Sequence, residues 1–212
     1  MKRLAAHSLV APPLASPPPA PRRRLLRRLL PCAALLAAPA LLALKPSDRF
    51  GLKDLEDEPN MTAKRFASLF EDFAYDYHSY VQSPNAFLRK RTGDCDDYAI
   101  LADHILGRRG GLKTRLIRVE LVNSRVNHVV CYVTENKAYL DYNNRKYFFT
   151  LTRSGPTLRE IAGKVADSFG KNWTVATEYT YSYEAGRSQP VYSVVKTDPP
   201  DQDPDRNGPP PR

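Results

Sequence analysis

The segment that most constrains the fold of this chain is Gly93-Asp94-Cys95-Asp96-Asp97-Tyr98-Ala99, which leads into an apolar stripe at helical spacing. Aspartate is a preferred N-cap residue, and glycine commonly ends a helix. The pattern predicts a helix from Asp94, as N-cap, to about Gly107, stopped by Gly110-Gly111. Cys95 then lies in the first turn, beside free backbone N–H groups and the positive end of the helix dipole, which favours a thiolate.

Two short strands are predicted after this helix, at His128–Thr134 and Lys137–Tyr142. Glu135-Asn136 between them fits the two-residue turn of a hairpin. With that turn, paired residue numbers sum to 271. His128 and Asp141 then become diagonal neighbours on one face of the hairpin, with Cβ atoms about 7 Å apart. An imidazole and a carboxylate can form a hydrogen bond across that separation.

The same register bears on the cysteines. Only Cys95 and Cys131 follow the N-terminal leader, which is too few for a disulfide scaffold. An exported protein could still form a bridge between them. In the predicted hairpin, however, Cys131 points to the face opposite His128. A Cys95 that uses His128 is therefore expected not to bridge Cys131, and the register favours catalysis over a disulfide.

Cys95, His128 and Asp141 together supply the parts of a thiol acyl-transfer site: a nucleophile, its base, and a group that orients the base. The carboxylates around Cys95 oppose a thiolate, so an adjacent imidazolium is required. Each residue alone has a simpler interpretation, as a buried cysteine, a strand histidine or a strand-end aspartate. His104 is nine residues past Cys95, half a turn out of phase, and is rejected as the base. His78 is predicted to be a packing residue.

The cysteine block resembles that of the transglutaminase-like cysteine peptidases, in which Gly-Asp-Cys-(Asp/Glu)-Asp-(Tyr/Phe)-Ala carries the nucleophile. The resemblance covers roughly residues 60–150. It implies a papain-like α+β domain, with the cysteine on a helix that packs against an antiparallel sheet bearing histidine and aspartate. It also implies an oxyanion hole made by the cysteine N–H and an upstream side chain, for which Tyr77, Tyr80 and Gln82 are candidates. The papain-type Cys-Gly-x-Cys-Trp segment is missing.

The predicted activity is hydrolysis or acyl transfer at amide bonds of a protein or peptide substrate, with peptide hydrolysis favoured by the resemblance. The alternatives are a catalytically inactive transglutaminase-like module that binds peptide or cell-envelope material, and a tethered structural domain with an inert Cys95. No cofactor and no metal site are expected. Calcium could bind the carboxylates of Asp94, Asp96 and Asp97, but the Asp-x-Asp-x-Asp-Gly calcium-binding loop is absent from the sequence.

Residues 1–44 are predicted to be a signal peptide or signal anchor. Basic residues precede an apolar run, 29–44, which is 16 residues long and ends near small residues, with Ala38-Pro39-Ala40 a candidate cleavage site. A bilayer-spanning helix needs about 20 residues, so cleavage and export, periplasmic or secreted, are favoured over membrane anchoring. Cys32 within the run is interpreted as a passive apolar residue.

The net charge of +9 arises mostly in this leader, which holds 7 of the 32 basic residues and no acid. The rest of the chain has 25 basic and 23 acidic residues, a balance that disfavours nucleic-acid binding. The expected partner is therefore a protein or peptide substrate, and a membrane only if the leader is an uncleaved anchor.

Residues 45–60 are predicted to be a linker, 61–197 the folded domain and 198–212 a disordered tail rich in proline and aspartate. Within the domain, apolar residues between 66 and 81 recur at helical spacing and predict a first helix that ends before Pro84. Residues 82–93 are predicted to be a loop. Further elements are predicted as a strand around 116–121, a sheet extension at 146–151, a helix at 158–169 and strands at 173–183 and 191–196. Helices followed by antiparallel strands indicate the α+β class.

Overall fold

Six antiparallel strands form the main sheet of the protein, in the spatial order β6-β5-β4-β3-β7-β8. The structure is a computed structural model that describes residue 44 and residues 49–125, 127–146 and 151–198. All of these lie in one unit, Leu41–Arg212. The strands of this sheet are β3 (Thr114–Leu121), β4 (His128–Val133), β5 (Ala138–Leu140), β6 (Leu151–Arg153), β7 (Trp173–Ser182) and β8 (Arg187–Val195).

Within the described residues five α-helices accompany the sheet, and one of them carries Cys95. This helix, α4, is extended by a π-helical segment, Asp103–Arg109, before the chain turns at Gly110. Two short parallel strands, β1 (Ala74–Tyr75) and β2 (Thr92–Gly93), pair immediately before it. The α-helices are α1 (Leu52–Asp57), α2 (Ala63–Ser68), α3 (Pro84–Lys90), α4 (Cys95–Ala102) and α5 (Leu158–Ser168).

The two faces of the sheet bury separate cores. On one face, α4 packs over β4 together with an aromatic cluster from α2, α3 and the segment before β1. On the other face, α5 covers β3 and β7. Strand β3 serves both cores, because successive side chains of a strand point to opposite faces: Leu116 packs in the first core and Ile117 in the second. The site described below lies where α4 begins, on the first face.

The α+β class and most predicted elements are confirmed. Helix α4 begins and ends as predicted when its π-helical extension is included, and α5 and five of the six main-sheet strands overlap their predicted ranges closely. The sixth, β6, begins at Leu151, whereas residues 147–150 of the predicted extension lie outside the described residues. The leader apart from Leu44, residues 45–48, and the tail beyond Asp198 also lie outside the described residues.

The predicted first helix is wrong beyond Ser68. Phe66, Phe70 and Phe73 do share one aromatic cluster, as helical spacing implies. The chain nevertheless leaves the helix at Ser68, because Ala74 and Tyr75 form hydrogen-bonded strand pairs with β2. Tertiary pairing with the segment that leads to the cysteine therefore overrides local periodicity.

Two predicted loops are in fact helical. Ser83 caps α3 by accepting the Ala86 N–H, and Pro84 occupies its first turn, a start signal present in the predicted loop 82–93. In the predicted linker, Phe50 and, on α1, Leu55 are buried in the first core. The folded domain therefore starts before residue 61. Among the described helices, none has the length and apolar character needed to cross a bilayer.

Candidate active site

The site is built around the first turn of α4. Strand β2 delivers the chain to Asp94, which precedes the helix, and Cys95 is its first residue. Gly93 is required here by close packing: a Cβ at this position would come within 2.6 Å of Asp97 Oδ2 and of the Phe87 ring. The Cys95 thiol is buried, at 6% exposure, and its sulfur lies 4.0 Å from the Asn127 carbonyl oxygen, just before β4.

Asp97, two residues after Cys95, fixes the upstream segment to the helix. One carboxylate oxygen accepts the backbone N–H of Gln82 at 2.6 Å, and the other accepts the Gln82 side-chain amide at 2.8 Å and the Asp94 N–H at 3.3 Å. Gln82 also donates to the Thr92 carbonyl. Because both N–H directions of this amide are used inside the fold, Gln82 is a poor oxyanion donor.

The other two candidates for that donor are exposed: Tyr77 and Tyr80 both present more than half of their surface to solvent. Tyr75, which was not a candidate, is itself 46% exposed and lies on the strand that pairs with the segment leading to Cys95. It pairs with Gly93 and packs on Tyr142 at 6.2 Å between ring centroids. Burial, followed by the charges of Cys95 and the nearby aspartates, raises the pKa of Tyr75 to about 12. The sequence carried no signal for this position, because the strand β1 was not predicted.

His128 and Asp141 are joined by a hydrogen bond of 2.9 Å between Nε2 and Oδ1. Both side chains are buried, and Asp141 also accepts the Asn143 N–H at 2.9 Å, which fixes the carboxylate. Cys131 pairs with Leu140, so paired numbers sum to 271 and the predicted register is confirmed. Since a carboxylate only accepts, Nε2 carries the proton, and Nδ1 is the nitrogen left for the sulfur.

The turn that carries Asp141 is anchored to the segment before β1. Arg145 donates to the Phe73 carbonyl at 2.6 Å and to the Tyr142 carbonyl at 2.9 Å, and its guanidinium lies over the Tyr142 ring. The Tyr142 hydroxyl in turn donates to the Ala74 carbonyl. The Asp141 carboxylate is therefore carried by a turn that a buried network holds in place.

His128 is electrostatically coupled to both of its predicted partners. Burial lowers the pKa of His128, but hydrogen bonds to Asp141 and to Cys95, with the negative charges of these two groups, outweigh burial and raise it to about 10. The imidazole is therefore protonated at neutral pH, as a thiolate–imidazolium pair requires. The Phe169 ring lies edge-on to the imidazole at 4.8 Å and limits its movement.

Cys95 and Cys131 do not form a disulfide, as expected, but part of the reasoning for this was wrong. Cys131 lies in the same core cluster as Cys95, beneath α4. Regular alternation along β4 assigns His128 to the face opposite Cys131, whereas Cys95 lies on the same face as Cys131. Cys95 therefore approaches His128 from the end of the sheet, where β4 begins. Cys131 is fully buried, whereas the Cys95 side chain retains some exposure.

The neighbouring carboxylates form a second ionisable group around His78. His78 Nδ1 lies 3.6 Å from Asp94 Oδ2 and from Asp97 Oδ2, and the three side chains could together hold a metal ion. His78 is in the loop after β1, not in a helix, so its prediction as a helical packing residue is wrong. His104 pairs with Glu56 at 3.0 Å. Burial, followed by a hydrogen bond to Asp94, raises the pKa of Asp96 to about 8.

Comparison with known proteins agrees with this architecture. Residues 55–152 match the model of a family described as a transglutaminase-like domain. This part of the chain, which holds Cys95, His128 and Asp141, is therefore transglutaminase-like. Over 118 residues the chain is also 29% identical to the UPF0252 protein of Archaeoglobus fulgidus. That alignment covers 52% of this chain and 36% of the relative, so the chain spans about a third of the relative's length.

Proposed function

We propose that this protein is a thiol hydrolase or acyl transferase that acts on amide bonds of protein or peptide substrates, and that its main activity is that of a cysteine peptidase. The observation that carries the proposal is the chain of contacts from Asp141 to His128 to Cys95 at a helix N-terminus. Its support from relatives is the transglutaminase-like match over the same residues. A structural cysteine needs no buried, charged base beside it.

In the proposed reaction, the Cys95 thiolate attacks the substrate carbonyl carbon, and the C–O π electrons move to the oxygen. The α4 N-terminus stabilises this oxyanion through backbone N–H groups and the helix dipole. As the C–N bond breaks, the His128 imidazolium gives its proton to the leaving amine. The neutral imidazole then takes a proton from water, or from an acceptor amine, which attacks the thioester and releases Cys95. Asp141 holds the ring throughout.

The proposed location follows from the leader sequence and rests on residues 1–44 alone. Basic residues ahead of a short apolar run favour export, periplasmic or secreted, with a membrane-anchored form as the alternative. Protein recovered from an export-competent host is expected to begin after about Ala40. Intact protein in a cytoplasmic soluble fraction would refute export, and full-length protein in the membrane fraction would select the anchor.

The test is turnover of a defined peptide mixture, such as denatured casein digested with trypsin, by the purified protein. New N-termini found by mass spectrometry would demonstrate hydrolysis. Incorporation of a fluorescent primary amine, added in excess, would demonstrate transfer. Cys95→Ala serves as the inactive control and Cys131→Ala as the matched control, because Cys131 is a second thiol in the same core.

The expected result is turnover by the wild type and by Cys131→Ala, with none by Cys95→Ala. Iodoacetamide is also expected to modify Cys95 near pH 6, much faster than Cys131. Equal, slow modification of both cysteines would contradict the proposal. An absence of turnover together with binding of the peptides would instead support the inactive binding module.

A further inference from the structure

A cleft of about 510 Å³ opens beside the first turn of α4. One wall is the exposed segment 79–81, which follows His78, and the other is the turn between β7 and β8. Asp96, the residue after Cys95, lines it, and Ile100 continues the lining one turn along the helix. Because its lining includes the residue next to Cys95, the cleft is placed to receive a substrate residue that flanks a carbonyl at Cys95.

Tyr179 gives the cleft a buried polar group without a partner. Its side chain is 2% exposed, it lines the cleft, and its hydroxyl makes no hydrogen bond to any described residue. Burial is the main cause that raises the pKa of Tyr179 well above its usual range, so the phenol stays neutral and can donate. Buried hydroxyls are normally paired, and one that is not is a candidate ligand contact.

Arg118 adds a cation at the same place. It lies two residues after Leu116 on β3, hence on the α4 face, and its guanidinium lies 4.8 Å from the centroid of the Tyr179 ring. The side chain is half-buried, and no carboxylate among the described residues comes within 4.0 Å of it in an ion pair. Arg187 on the β7–β8 side of the cleft supplies a second, exposed positive charge.

We propose that this cleft is a specificity subsite that binds a carboxylate of the peptide substrate, with Arg118 as the main contact and Tyr179 as a hydrogen-bond donor. The inference rests on the proposed function, since it assigns the substrate class of the same site. The lining holds two arginines and one acidic residue, Asp96, so it is net positive whichever protonation state Asp96 takes. A planar guanidinium beside a neutral phenol suits a carboxylate better than a cation or an apolar group.

The carboxylate has two sources in a peptide, a glutamate or aspartate side chain and the free C-terminus. The test therefore uses three matched peptide sets: glutamate with an amidated C-terminus, glutamine with an amidated C-terminus, and glutamine with a free C-terminus. Binding is measured by fluorescence anisotropy on Cys95→Ala, so that no turnover is needed. Turnover, as kcat/KM, is measured on the enzyme with Cys95 intact.

A carboxylate-bearing set is expected to bind about tenfold or more tightly than the neutral set, as charge-assisted hydrogen bonds typically allow. Arg118→Gln should bring the preference below about threefold, and Arg118→Lys should retain part of it. Tyr179→Phe should weaken binding of the preferred set by about threefold with little effect on the neutral one. Arg89→Gln, at an exposed position on α3, is the matched control and should change nothing.

The ratio between the binding of the carboxylate-bearing peptides and that of the neutral peptides decides whether the subsite exists. Equal binding of all three sets, or a preference that survives Arg118→Gln in a folded protein, would overturn the subsite. Folding is checked by thermal melting, and Arg118→Lys keeps the test valid if Arg118→Gln melts early. Failure of the proposed function has a different signature: no turnover and an unreactive Cys95, while Cys95→Ala still binds the carboxylate peptides.

Discussion

Two buried polar clusters lie on opposite faces of the same sheet, and they are built in contrasting ways. On the α5 face, Arg115 donates to Glu178 at 2.6 Å, to the Pro156 carbonyl and to the Tyr192 hydroxyl. On the α4 face, polar atoms around Cys95 lack hydrogen-bond partners among the described residues. They are His78 Nδ1, Asp94 Oδ1, Asp96 Oδ1 and Tyr179 Oη. Tyr98 Oη in the first core and Tyr139 Oη in the second also lack a partner within that part of the chain, but neither belongs to these two clusters.

The difference indicates what each cluster is for. An ion pair with all of its donors satisfied stabilises one arrangement of the strands β3 and β7 and offers nothing to a ligand. Carboxylates with one unsatisfied oxygen, and a phenol without a partner, cost folding free energy, which a protein tolerates where a substrate or ion completes the hydrogen bonds. We therefore expect substitutions on the α5 face to change stability and those on the α4 face to change chemistry.

The largest expected effect is on chemistry. Cys95→Ala should lower turnover by at least about a thousandfold, because the nucleophile is lost. Cys131→Ala lies in the same core and should keep most of the activity while it lowers the melting temperature, because it opens a small cavity. Turnover and thermal melting of both variants check this. Comparable losses of activity in the two variants would mean that activity is lost because the core beneath α4 packs less well, and not because the Cys95 thiol is missing.

The matching effect on the other face is on stability. Arg115→Met leaves Glu178 buried without its cation and should cost about 3–5 kcal/mol of unfolding free energy. Urea denaturation measures this cost, and Arg115→Met combined with Glu178→Leu should recover part of it. The iodoacetamide rate at Cys95 in the folded protein should not change. A slower reaction of Cys95 with little loss of stability would mean that the α5 face affects chemistry more than stability, contrary to the contrast between the two faces.

Sequence reasoning reached the α4 helix, the hairpin register and the residues that meet there, because turn chemistry and period-two alternation act over short distances. It missed β1 and Tyr75, because the aromatic spacing before residue 74 fits a helix equally well and only pairing with β2 breaks it. It missed α3 although Ser83 and Pro84 form a helix start signal. It also missed Arg118 and Tyr179. These lie 23 and 84 residues after Cys95 on strands that meet only in the sheet.

A smaller effect is expected at Asp141, the orienting residue. Asp141→Asn should lower turnover by about 10- to 1000-fold, less than Cys95→Ala, because a thiol depends less on its base than a hydroxyl does. Loss of the charge also lowers the pKa of His128 from about 10, so the alkaline limb of the rate profile should move to lower pH. Rate against pH, together with melting, tests both. Full activity with an unmoved limb would show that Asp141 does not orient His128.

The smallest expected effect concerns the unpaired carboxylates. Burial and Asp94 raise the pKa of Asp96 from 3.8 to about 8, so the folded state binds a proton that the unfolded chain releases. This stabilising contribution is complete below about pH 4 and is lost as the pH rises to 8. Asp96→Asn removes the ionisation, so its melting temperature should gain on the wild type as the pH rises from about 4 to 8, and level off above. Asp167→Asn, an exposed aspartate at the end of α5, is the control and should show no such trend. A gain that does not depend on pH would mean that Asp96 is not protonated in the folded state, and the contrast between the two faces of the sheet would then rest on His78, Asp94 and Tyr179.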